Sequence, residues 1–376
     1  MKPVWIVAAR RTPQGRFLGT LAKHTATDLA IAAGKAALTG IDPARVDAVI
    51  VGNVLSAGLG MNVARQVGMS VGVPVSAPAF TVNMMCASGM QAVILAAQAI
   101  QCGSARMVLC GGTESMSNAP HLLPRAHMQG GKPAADAVPV DSMLRDGLHD
   151  AFKGEHMAHT AERLASRYTI SREAQDQYAA RSQQRYGAAR AAGHFQNEIV
   201  AVGDVALDEH PRPNATAEKL AMLSPVFNTS GTVTAGNASG INDGAAMLLV
   251  CDATYARECG LEPMVILSAS AAAGCEPALM GLGPVHAVRR LDLDVHQFDM
   301  IELNEAFAAQ ALACIQELGL DETKVNPDGG AIALGHPIGA TGARLLVHLA
   351  HRRPRRGLAT LCVGGGMGCA VVVEQP

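Results

Sequence analysis

Two stretches of this chain, 250 positions apart from Cys86 to His336, are built alike. In the first, an apolar, strand-like approach from Ala79 to Val82 ends at Asn83. Cys86 then opens a segment whose apolar positions Met90, Val93, Ile94, Ala97 and Ile100 recur at helical spacing until Gly103. The run Met107-Val108-Leu109-Cys110 and the pair Gly111-Gly112 follow. In the second, a loop holding Gly335-His336-Pro337 opens a helical segment from about Gly339 to His351, and Thr360-Leu361-Cys362-Val363-Gly364-Gly365 follows. Such self-similarity reads as a duplicated α/β unit. Packed about a pseudo-twofold axis, two copies would bring both helix starts, and so Cys86 and His336, to one place.

Composition agrees with a layered α/β architecture. The 376 residues are 49% hydrophobic but only 3% aromatic, so small aliphatic side chains must fill the core and allow close helix–sheet packing. A net charge of −2 argues against a general nucleic-acid or anionic-membrane surface. Nine cysteines contain no Cys-x-x-Cys pair and no metal-type pattern with histidine, so neither a metal site nor a disulfide framework is expected. No apolar run is long enough to span a bilayer, and the N-terminal Met1–Pro13 has too short an apolar core for a signal peptide. A reducing, cytoplasmic setting is the expectation.

The character of the chain divides it into residues 1–117 with 241–262 as a first half, 118–240 as an insert, and 263–376 as a second half. The first half reads as strands Val4–Ala9, Val46–Val54 and Ala105–Cys110 around a helix from Thr27 to Leu38. Gly58-Leu59-Gly60 lacks the third glycine of a dinucleotide loop and reads as a tight turn. The insert is polar and carries one helix pattern from His156 to Tyr168. A second begins at Ser171, where Ser-Arg-Glu-Ala reads as a capping box, and runs to about Ala192. After Gly244–Cys251, the second half alternates strands (Val265–Ala272, Met300–Leu303, Leu358–Cys362, Ala370–Val373) with helices.

A cysteine where a strand becomes a helix sits among unpaired N–H groups at the positive end of the helix dipole, which favours the thiolate. The small neighbours Ala87, Ser88 and Gly89 would leave the sulfur open to a substrate. Read alone, the stretch favours Cys86 as a buried apolar cysteine, as most free cysteines are. A thiol nucleophile needs a base and oxyanion donors. His336, in its Gly- and Pro-rich loop at a helix start, is the best-placed base. Gly364-Gly365-Gly366 offers unobstructed N–H groups, and one oxyanion donor is typically worth about 3 kcal/mol. Cys362, just before that triplet, is a second thiol suited to moving a proton to or from carbon. Asn304 would orient His336 or fix a water, or else cap the helix beginning near Glu305.

These residues resemble the thiolases over nearly the whole chain. The likeness rests on Val82-Asn83-Met84-Met85-Cys86-Ala87-Ser88-Gly89, on Asn304-Glu305-Ala306-Phe307-Ala308-Ala309-Gln310, on Gly329 to Ala340 around His336, and on Leu361-Cys362-Val363-Gly364-Gly365-Gly366-Met367-Gly368. The resemblance implies a thiolase-like fold: two duplicated βαβ-type halves in a five-layer α-β-α-β-α arrangement with an inserted loop domain that binds coenzyme A (CoA). It implies a reversible ping-pong Claisen condensation of two acetyl-CoA into acetoacetyl-CoA and free CoA. In that scheme Cys86 carries the acetyl group and His336 accepts its proton. Asn304 (through a water) and His336 form one oxyanion hole, and the amides of Cys86 and Gly364 form the other. Cys362 abstracts the α-proton.

The resemblance also places Ala238 and Ser239 at the pantetheine, His156 and Met157 along the tunnel, and Met280 and Phe307 at the closed acyl end. Ala158-His159 departs from the family's usual glycine and small or apolar residue, so the resemblance does not fix the pocket's local shape there. CoA would be a substrate rather than a resident cofactor, and the assembly a homodimer or homotetramer whose contact loop would lie near Met128–Asp141. The basic run His351–Arg356 reads as a solvated turn, with a weaker alternative as a CoA phosphate contact. The alternative within the family is a broader 3-ketoacyl-CoA thiolase of fatty-acid breakdown. A decarboxylating ketoacyl synthase would lack Cys362, and a non-enzymatic lipid carrier would be expected to lose Cys86, His336 or Cys362.

Overall fold

The computed structural model describes residues 2–376, the Gln129 side chain excepted. The first half consists of β1 (Val4–Arg11), α1 (Ala26–Ala37), β2 (Ala48–Gly52), α2 (Val63–Ser70), β3 (Ala79–Val82), α3 (Ser88–Gln101) and β4 (Met107–Ser115). The insert contributes α4 (Ala158–Arg167) and α5 (Arg172–Ala191), and β5 (Asn242–Asp252) returns to the first half. The second half consists of β6 (Val265–Gly274), α6 (Gly283–Arg290), β7 (Met300–Leu303), α7 (Ala308–Leu318), α8 (Ile338–Arg352), β8 (Arg356–Val363) and β9 (Met367–Glu374).

The duplication is visible in the ladder. Its order is β7-β8-β9-β6-β1-β5-β4-β2-β3, with Gly15–Arg16 pairing on β5 as a tenth strand. Counted outward from the β1–β6 joint, each half repeats one pattern: two antiparallel pairings, then parallel ones. A single parallel bridge from Ile301 to Val325 stands where β3 stands in the first half. The chain after that bridge leads to His336 and α8, just as the chain after β3 leads to Cys86 and α3.

Three apolar clusters fill the spaces between layers. Leu29, Ala33 and Val67 of α1 and α2 pack on Val49, Leu109 and Leu249 outside the first half-sheet. Val285, Val288 and Ile315 of α6 and α7 pack on Leu358 and Val372 outside the second. Met90 and Val93 of α3, with Leu345 and Leu346 of α8, lie between Ile50, Val108 and Leu248 on one side and Leu361 and Val371 on the other. This is the five-layer arrangement, with the half-sheets joined along Val4–Ile6 and Val265–Leu267 into one ladder around two central helices.

Local differences have local causes. The strand expected to stop at Cys110 runs on to Ser115, and Gly112 lets it pass beneath the central helices. A Cβ at Gly112 would overlap the Gly339 carbonyl, and one at Gly89 would lie 2.9 Å from that oxygen. Ser171 caps α5 by accepting from the Ala174 N–H at 3.1 Å. The third helical position is thus Ala174, with no carboxylate to reach back, and the cap is not a box. A true capping box, Thr25 with Asp28, opens α1. Met128–Asp141 forms parts of two short, mostly exposed ladders. The basic run lies at the far end of α8, about 20 Å from His336 at 1.5 Å per residue. There Arg352 pairs with Asp328 at 2.8 Å and Arg356 with Glu374 at 3.1 Å.

Candidate active site

The Cys86 loop is held by its own hydrogen bonds. Ser88 Oγ accepts from the Met84 N–H at 2.9 Å and donates to the Met85 carbonyl at 2.6 Å, while Asn83 Oδ1 accepts from the Met85 N–H at 3.0 Å. Met85 is thereby kept at φ +46°, a conformation non-glycine residues adopt at a cost. Ala87, Ser88 and Gly89 are buried in the crossing of α3 over α8. The smallness of Gly89 also serves helix approach, since a Cβ there would meet Gly339 and Ala343 of α8.

Across that crossing, Cys86 and His336 meet in one chamber of about 580 Å³, together with Cys362 and Gly364. His156, Met157, Ala238, Ser239, Met280 and Phe307 line the same chamber. Asn304 does not reach its wall. It lies fully buried at the end of β7, and neither polar atom of its side chain has a partner among the described residues. α7 begins four residues later at Ala308, so Asn304 is not its cap. A buried amide without a partner costs roughly 1–3 kcal/mol unless a water or ligand satisfies it, which fits a group that fixes a water. The segment after it is braced by Glu305, which accepts from Ser182 Oγ at 2.7 Å, Asn326 Nδ2 at 2.9 Å and the Ile332 N–H at 3.1 Å.

The protonation states differ from the sequence expectation. Burial pushes the Cys86 thiol up to about 11, although the amides of Gly364 and Cys86 itself point at the sulfur and favour its charge. Desolvation outweighs the helix start, and the resting group is a thiol. Burial, assisted by Arg344, pushes His336 down to about 3, so its imidazole is neutral and free to accept a proton. Cys362 lies well above the ordinary thiol range, again through burial first. Glu114, beneath the loops, is raised to about 7 by burial despite donors from Leu55, Val54, Gly339 and Asn53.

Other lining residues carry no local sequence signal. Phe227 stacks on His156 with centroids 4.1 Å apart, and His159 approaches the same ring edge-on at 6.4 Å. Arg16 and Arg212 stand together in the wall. Burial and the Arg16 charge lower the Arg212 guanidinium from its usual range. They come from β5's short partner strand and from the insert, so only the fold makes them neighbours. Among the described residues no group of three or more metal-ligating side chains occurs, and no helix is long and apolar enough to cross a membrane.

The chain resembles known proteins over its whole length. Residues 4–254 match the family model described as "Thiolase, N-terminal domain" and residues 261–375 the one described as "Thiolase, C-terminal domain". An acetyl-CoA acetyltransferase of Chromobacterium violaceum is 50% identical over 99% of this chain and 100% of its own. The acetyl-CoA acetyltransferase of Cupriavidus necator is 49% identical over 100% of both. The crystal structure of human mitochondrial 3-ketoacyl-CoA thiolase in complex with CoA superposes with a TM-score of 0.95 at 42% identity, covering 100% of this chain and 98% of that one.

Proposed function

The chain belongs to the thiolase family and is an acyltransferase, and on that premise we propose how its chamber makes acetoacetyl-CoA from two acetyl-CoA. The observation that carries the proposal is the meeting of Cys86, His336 and Cys362 in one chamber that opens between the insert and both halves.

Neutral His336 takes the proton of the Cys86 thiol as the sulfur attacks the thioester carbonyl. The amides of Cys86 and Gly364, already aimed at this sulfur, hold the oxyanion. The departing CoA sulfur receives a proton from Cys362, which burial keeps as a thiol at rest. Cys362 is then a thiolate and takes the α-proton of the second acetyl-CoA. The resulting carbanion attacks the acetyl-Cys86 carbonyl, the carbon–carbon bond forms, and Cys86 leaves to recover its proton from His336. A water held by Asn304, together with His336, receives the oxyanion of the second thioester. Thiolysis is the reverse sequence.

CoA enters as a substrate with no resident cofactor. Its pantetheine runs past Ala238 and Ser239 and between His156 and Met157, while residues 118–240 act as the CoA-binding insert. Arg16 and Arg212, a close pair of planar cations, suit its phosphates. Met280 and Phe307 close the acyl end, which supports a short-chain preference. The protein works in the cytoplasm as a homodimer or homotetramer; the open ladder edge at β3, with Phe80 45% exposed, supports assembly.

Intact-mass measurement after mixing with acetyl-CoA tests the scheme. Wild type gains one acetyl group on Cys86, Cys86→Ser gains none, and Cys362→Ala is acetylated but forms no acetoacetyl-CoA. An adduct on another residue refutes the assignment. The resemblance to 3-ketoacyl-CoA thiolase favours one second reading, a broader chain-length range. Much faster thiolysis of 3-ketodecanoyl-CoA than of acetoacetyl-CoA would replace the short-chain reading with it.

A further inference from the structure

The use of His336 as a base depends on which ring nitrogen carries the hydrogen. Its Nδ1 lies 2.7 Å from Thr341 Oγ1, and the same hydroxyl donates to the Pro337 carbonyl at 3.0 Å. A carbonyl can only accept, and a hydroxyl has one hydrogen to give. With that hydrogen committed to Pro337, the Thr341 oxygen offers the ring lone pairs alone. In that arrangement Nδ1 is the donor. Because burial holds the ring neutral, its one hydrogen is then spent and Nε2 is bare. Nε2 makes no hydrogen bond to a described residue, whereas the backbone N–H of His336 is tied to Asn242 Oδ1 at 2.9 Å. The residue is held at backbone and ring, and Thr341, at 1% exposure on the first turn of α8, has no room to turn away.

We propose that Thr341 is a positioning residue that fixes His336 in the Nδ1–H tautomer and so presents Nε2 to the Cys86 thiol as proton acceptor. The inference rests on the reading of His336 as the base. The S–H bond of Cys86 breaks, an N–H bond forms at Nε2, and the cation that results still donates from Nδ1 to Thr341. A carboxylate in this position would raise the ring's proton affinity and trap the imidazolium. A hydroxyl sets the tautomer without adding charge, so the proton stays transferable in both directions of a reversible reaction.

Histidine-selective 15N labelling of the full chain, with His336 assigned by comparison with His336→Asn, reads the tautomer directly. The expected pattern is a protonated-type Nδ1 and an unprotonated-type Nε2. Thr341→Ser keeps the pattern and holds kcat within about twofold. Thr341→Val shifts the balance toward Nε2–H and lowers kcat on the order of 10- to 100-fold, with KM for acetyl-CoA nearly unchanged. An Nε2–H signal in the wild type overturns the proposal. So does an unchanged kcat in Thr341→Val, or a Thr341→Ser as impaired as Thr341→Val, which would assign the loss to packing. If Thr341→Val does not fold, the wild-type spectrum and Thr341→Ser still decide. Full acetylation in His336→Asn would instead sink the base itself, an outcome distinct from a harmless Thr341→Val beside an inactive His336→Asn.

Discussion

The sulfur of Cys86 shows how burial overrides a local cue. Its place just before α3 is legible in sequence, as are His336, Cys362 and the glycine triplet, because each stands at a strand end or helix start with small neighbours. What sequence does not contain is the depth at which they meet. That depth reverses the expected charge of Cys86 and leaves both resting partners neutral, thiol near 11 and imidazole near 3. A thiolate–imidazolium pair, as in proteases with an activated cysteine, would react with alkylating agents at a rate already level by neutral pH. Here the rate of iodoacetamide inactivation, which follows the thiolate fraction, rises steadily from pH 7 through pH 9, about tenfold per unit well below the pKa. A plateau below pH 8 would show a stabilised thiolate and contradict the neutral pair.

At the scale of elements, the convergence of Cys86 and His336 is a consequence of how closely α3 and α8 cross. The repeat of strand, loop and helix made their common destination predictable. The closeness was not, because it depends on glycines in β4 and α8 that look interchangeable with alanine in a one-dimensional reading. Gly112→Ala puts a methyl into the Gly339 carbonyl, which nothing in the crossing can vacate. We expect a loss of about 1–3 kcal/mol in chemical denaturation and, as the helix starts separate, slower acetylation of Cys86 by acetyl-CoA. Gly187 provides the contrast. It lies within α5, where a Cβ meets nothing within 4 Å, so Gly187→Ala should stabilise by up to about 1 kcal/mol and leave acetylation unchanged. Equal effects of the two substitutions would remove the argument for a tight crossing. The guanidiniums of Arg16 and Arg212 escaped the sequence reading for a related reason: neither sits in a patterned element, and only the packed insert makes them neighbours.

The whole molecule is tied together by charge buried away from the chamber. Arg11 of β1 bonds Glu198 and Asp208 of the insert, each at 2.6 Å. Glu198 bonds His348 of α8 at 2.9 Å, and the other ring nitrogen of His348 lies 3.0 Å from Asp328. First half, insert and second half thus share one network, whose members are scattered over the sequence and carry no motif. Both nitrogens of His348 face carboxylates, so the ring must be an imidazolium. Burial opposes that charge, but Glu198 and Asp328 raise its pKa to about 9. A histidine raised in the folded state above its usual 6.5 contributes stability in full below that value and loses it as pH climbs through about 9. His348→Gln should therefore be less stable than the wild type by on the order of 2–3 kcal/mol near pH 6, with the gap closing by pH 10. The acid side has the opposite sign. Burial would raise both Glu198 and Asp328, but Arg11 and His348 hold Glu198, and His348, His194 and Arg352 hold Asp328, at about 2; both contribute above the usual carboxylate range and lose that contribution as pH falls toward 2. Thermal midpoints of the two proteins across pH 4 to 10 distinguish this from simple packing. A cavity or steric defect at His348 would give a gap independent of pH, whereas a buried imidazolium requires the two curves to meet at the alkaline end.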